Sequence, residues 1–173
     1  MWYKYLGWSL LIVLAAVIQI FLSSSHNFGL ANFNLLLIIL VLLVNVTSAG
    51  RVIWFLILAG AVMDVYSGLP FGIFLVSYLL TAVVLEALFI NFFTNRSFYS
   101  LLILGGLGVL VYNLFFLSVS GLLYYLGASD FFTSWGYLAD VGWQLLLAMV
   151  FLTLAFFFIN YLSKKFKPVF LHS

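Results

Sequence analysis

The sequence predicts an all-α integral membrane protein folded as a bundle of six transmembrane helices. Three observations carry this reading. Of 173 residues, 67% are hydrophobic and only 6% charged, with a mean hydropathy of +1.31. A soluble domain has about 25% charged residues and could not cover its surface with so few. The apolar runs, such as that at 35–44, do not alternate as the ten-residue strands of a membrane barrel would, and the chain has 2 prolines. Finally, all six Lys and Arg residues fall at alternate ends of the apolar segments. A soluble enzyme and a nucleic-acid reader are thereby excluded. The absence of cysteine rules out disulfides, thiolate nucleophiles and cysteine-ligated metals.

Taken in order, the spans are 6–22, 33–46, 52–66, 71–93, 101–126 and 137–162, within a single transmembrane domain, 1–173. A full crossing takes about 20 residues, so the second and third are short unless their apolar flanks extend them. They are separate helices, because Asn45, Thr47, Ser48, Gly50 and Arg51 interrupt a run too long for one crossing. The first span has a longer apolar stretch than a signal peptide and one preceding cation, and is read as a permanent helix. Lys4 precedes it, Arg51 and Arg96 lie between spans two and three and spans four and five, and Lys164, Lys165 and Lys167 follow span six. The positive-inside rule puts these ends, and both termini, in the cytoplasm. The glycosylation patterns at Asn45 and Asn95 fall on that inner side and are discounted. Trp2, Trp8, Trp54, Tyr99 and Tyr161 at one interface, and Tyr66, Tyr124, Tyr125, Trp135 and Tyr137 at the other, form the expected aromatic girdles.

Ionisable groups inside a membrane are functional candidates because burying them is costly. Asp64 ends span three just before a turn in which Gly68 stops one helix and Pro70 opens the next. A carboxylate there opposes its own helix dipole and needs a donor or a cation. It either locks the hairpin through N–H groups at the start of span four, or contacts a ligand or partner. Glu86 shares a helix face with Tyr78 and Ala82. It pairs with Arg51, Arg96, a tail lysine or a span-end Asn, or else couples protons. Asp140 and Gln144, four apart, belong with Asp64 and Asp130 to an acidic outer rim, which is solvated or receives a basic segment or an amine. Gln19, Tyr112 and Asn113 are expected to bond across helices. Gly105, Gly106 and Gly108 permit close helix approach. Lys164, Lys165 and Lys167 suit anionic lipid headgroups or a cytoplasmic partner. No HExxH, GxSxG or paired catalytic carboxylates occur, and His26 and His172 fall on opposite sides, so no metal site, cofactor or enzymatic activity is expected.

The stretch 58–72 resembles the central signature of the bacterial rod shape-determining protein MreD family, roughly G-x-x-x-D-x-x-x-G-x-P-x-G. Gly60, Asp64, Gly68, Pro70 and Gly72 stand at the matching positions. Size, short loops and cytoplasmic termini fit along the whole chain. The resemblance implies a non-enzymatic part of the elongasome that binds the single-span protein MreC. Through MreC it would connect MreB with the glycosyltransferase RodA and its penicillin-binding transpeptidase, supporting lateral peptidoglycan synthesis and rod shape. It also implies a fold similar to the S components of energy-coupling-factor vitamin transporters. The alternative function is therefore that of such a substrate-binding component, with Asp64, Tyr66, Asp140, Trp143 and Gln144 around an outer cavity. A carrier is the weakest option, since no inverted repeat is evident.

Overall fold

The computed structural model describes residues 2–24, 32–46, 49–92, 97–128 and 136–166. Among the described residues there are six helices and no strand: α1 (Trp2–Ser23), α2 (Leu35–Val46), α3 (Ala49–Ser67), α4 (Ile73–Phe92), α5 (Phe98–Tyr125) and α6 (Tyr137–Phe166). Four contain segments long and apolar enough to cross a membrane: Gly50–Ser67, Ile73–Phe92, Phe98–Tyr125 and Tyr137–Tyr161. By length and composition the chain is a multi-pass membrane protein. The expected third span does extend into its flanks, reaching 19 residues. The second does not: α2 has 12 residues. It is about 18 Å long, against a hydrocarbon thickness of about 30 Å.

The shortness of α2 goes with its position. It packs against every other helix. Leu36, Leu37, Ile38, Leu40, Val41 and Val44 are all buried. A helix that is apolar all round has no face to offer water and is stable where protein surrounds it. The longer helices form the surround, and their outward side chains, among them Leu10, Leu114, Leu154, Phe157 and Phe158, are exposed. Lipid is the solvent that such a surface suits.

Neighbouring helices run antiparallel where they are joined by short links. Between α4 and α5, Phe74 meets Phe116 and Tyr78 meets Tyr112, with ring centroids 5.4 and 4.7 Å apart. Between α5 and α6, Gly105 faces Leu152 and Gly106 faces Met149. A Cβ at Gly105 would overlap the Leu152 side chain, and one at Gly106 would lie 3.0 Å from Met149 Cε. Gly108 lies against Leu85 and Val41, where a Cβ would stand 3.3 Å from each. The glycine run thus brings α5 close to α2, α4 and α6 together, as small residues do between membrane helices.

Candidate functional site

The turn between α3 and α4 is built by the residues of the 58–72 stretch, each for a different physical reason. Gly60 is where the two helices touch: a Cβ there would lie 2.7 Å from Leu75 Cα, inside the partner backbone. Gly68 has φ +69 and Gly72 φ +107, left-handed conformations that side chains disfavour. Between them Pro70, with its fixed φ and no N–H, suits the turn ahead of α4. Asp64 is buried, with 3% of its surface exposed. Its Oδ1 accepts the Phe74 N–H at 2.8 Å and its Oδ2 the Leu75 N–H at 3.1 Å. These are unpaired donors of the first turn of α4, so the carboxylate of one helix caps the next. The positive end of the α4 dipole offsets the unfavourable C-terminal end of α3. Ser67 completes the turn by donating to the Asp64 carbonyl and accepting the Leu69 N–H, both at 3.2 Å. The hairpin lock expected for Asp64 is therefore formed. Being buried, Asp64 does not belong to a solvated acidic rim.

Beside this hairpin, at the same end of the bundle, lies a cavity of about 370 Å³. Its place follows from the fold. Of α2 itself no residue reaches the lining; only the segment leading into it, Asn32, Phe33 and Asn34, does. The space beyond the start of this short helix, inside the ring of longer ones, is the cavity.

Four sets of hydrogen bonds shape its wall. Gln19 of α1 donates to the Phe33 carbonyl at 2.8 Å and accepts the Leu35 N–H at 2.6 Å, capping α2 from the neighbouring helix. Asn34 Oδ1 accepts the Leu37 N–H at 3.1 Å and the Tyr78 hydroxyl at 2.9 Å. On the far side, Asn113 Nδ2 donates to Gln144 Oε1 at 2.7 Å, and Asn113 Oδ1 accepts the Tyr137 hydroxyl at 2.6 Å. Asp140, in the first turn of α6, accepts from Asn32 Nδ2 at 3.1 Å. The rings of Phe74, Tyr78, Tyr112 and Phe116 also line it.

The structure thus gathers Asn113, Asp140 and Gln144 in one place and seats the 60–72 hairpin at its edge. Tyr66 joins the lining, whereas Asp64 and Trp143, considered with it, do not. Tyr137 turns into the bundle instead of serving in an interfacial girdle, because its hydroxyl finds Asn113. Glu86 lies elsewhere, half-buried and about 12 Å further along α4 from Tyr78. Lys164 and Lys165 continue α6 near its end, and Lys167 lies outside the described residues, as do Arg96, Asp130 and both histidines. Sequence reading missed Asn32, Asn34 and Tyr137 as partners of the site. The available signal was the pair of asparagines flanking Phe33 just ahead of an apolar run, the position where caps occur. Among the described residues no three His, Asp or Glu side chains converge as metal ligands would.

Set against known proteins, the chain matches no family model, no curated protein and no solved structure.

Proposed function

We propose that this protein is a non-enzymatic membrane component of the bacterial elongasome, similar to the MreD family, that binds MreC in the inner membrane with both termini cytoplasmic. The observation that carries the reading is the α3–α4 hairpin. Its five signature positions, Gly60, Asp64, Gly68, Pro70 and Gly72, form one structural device. A hairpin capped by a buried carboxylate and closed by a glycine contact holds the ends of two helices rigidly. Rigid helices are what a packing partner in a membrane requires, since association there relies on close van der Waals fit. MreC would link the protein to MreB, RodA and its penicillin-binding transpeptidase, and the tail lysines would lie on anionic lipid.

The test is a mild-detergent pull-down of the tagged protein from its native host, read by mass spectrometry. Recovery of MreC with RodA and its transpeptidase is the expected result. Recovery of energy-coupling-factor ATPases and their membrane partner would overturn it in favour of a second reading, a solute-binding S component. The observation that favours this second reading is the cavity of about 370 Å³. Ligand pockets commonly occupy about 300–1,000 Å³ and carry a few convergent polar groups in an aromatic wall.

A further inference from the structure

We propose that the cavity beyond the N-terminus of α2 binds a small organic cation, an ammonium group carried on an aromatic or other apolar body. The inference rests on the cavity alone and holds under either reading of the protein's function.

Charge selects the sign of the ligand. Among the described lining residues one is acidic, Asp140, and none is basic. The hydrogen bond that Asp140 receives comes from an uncharged amide, Asn32, at 3.1 Å. That bond orients the carboxylate without neutralising it. An anion entering this space would lose water and meet a like charge, whereas a cation would gain an opposite one. A carboxylate-bearing solute is therefore disfavoured.

The wall selects the body. Tyr78 and Tyr112 stack at 4.7 Å and 28°, and Tyr112 stacks on Phe116 at 6.1 Å and 29°. This stack runs along one side of the cavity, and Tyr137 lies by Asp140 at the start of α6. Ile20, Met63, Leu69 and Val141 line the cavity beside these rings, so the wall accepts an apolar body. The hydroxyls of Tyr78 and Tyr137 are already committed, to Asn34 and Asn113, which holds these rings fixed in the wall. The amides of Asn113 and Gln144 are likewise bonded to each other at 2.7 Å, which keeps the polar side of the cavity in one arrangement. Asp140 sits in the first turn of α6, at the edge of the cavity.

The test uses the full chain in lipid nanodiscs with three probes of one shape: phenethylamine, its neutral analogue phenethyl alcohol, and the anion 3-phenylpropionate. Binding is followed by intrinsic fluorescence and by thermal stability. Saturable binding of the amine, at least tenfold tighter than either analogue, is expected. Asp140→Asn keeps an oxygen for Asn32 and should lose that preference, while Glu86→Gln, remote from the cavity, should retain it. Equal binding of all three probes by the unaltered protein, or none, would overturn the proposal without recourse to any variant. So would an amine preference that survives Asp140→Asn. The pull-down from the host is independent of these outcomes, so failure of the ligand inference and failure of the elongasome reading are distinguishable.

Discussion

At the scale of single residues, Asp64 decides most. It is buried, yet each carboxylate oxygen holds a backbone N–H of the helix that follows. Asp64→Ala removes both bonds and leaves two donors in an apolar setting, which should cost about 2–4 kcal/mol by analogy with charged hydrogen bonds lost from a protein interior. Asp64→Asn retains one accepting oxygen and should lose about half as much. A chemical unfolding series in detergent ranks the three proteins, and an Ala variant as stable as the unaltered chain would refute the capping role. Gly60→Ala acts differently, by forcing the Leu75 backbone away from a Cβ otherwise 2.7 Å from it. Overpacking of this kind costs about 1–3 kcal/mol. Gly68→Ala meets no neighbour but must hold φ +69, a strain of about 1–2 kcal/mol. The same unfolding series reads these losses.

At the scale of elements, two of the hairpins repeat one device. A polar side chain in the last turns of the first helix reaches across and satisfies the opening N–H groups of the second: Gln19 for α2, Asp64 for α4. The third hairpin is braced deeper, by Asn113 of α5 against Gln144 and Tyr137 of α6. Because hydrocarbon offers no replacement for a lost bond, Gln19→Leu should expose the start of α2 to exchange. Faster amide hydrogen exchange confined to residues 35–38 would show this. For the deeper brace, a double-mutant cycle of Asn113→Ala and Gln144→Ala should return a coupling of about 0.6 kcal/mol, the usual size of an interhelical bond in a membrane. The helices themselves were legible in the sequence because each rests on a long, mostly apolar run. The role of Asp64 was legible too, since a carboxylate at a helix end has few ways to be satisfied. The cavity was not. Asn32 and Asn34 come to it from one segment and Tyr137 from another far along the chain, and no periodicity within one helix announces a meeting of five. The length of α2 misled in the same way. Its composition says only that it is buried, not whether lipid or protein buries it.

At the scale of the whole molecule, the distribution of charge and the direction of the helices make one joint prediction. The α3–α4 turn and the cavity lie at the end opposite Arg51, which stands at the start of α3. If the positive end faces the cytoplasm, the cavity opens outward. The chain has no cysteine of its own, so single cysteines at Gly50 and at Gly127 can be introduced without background. A membrane-impermeant maleimide applied to intact spheroplasts should label Gly127→Cys and spare Gly50→Cys. The reverse pattern would invert the topology and place the cavity inside.

The enclosure of α2 also bears on how the protein is made. During synthesis α2 emerges before α4, α5 and α6, the helices that will cover much of it. Until they arrive it rests in a bilayer thicker than its own length, a mismatch that costs energy for every ångström unmet. Its final place cannot be occupied early and adjusted later, because the surround must close about it. Nascent chains released after α3 should therefore be targets of membrane proteolysis, while those extending through α5 gain protection. Assembly of the bundle would then act as its own checkpoint, with the most apolar helix reporting whether the rest has been built.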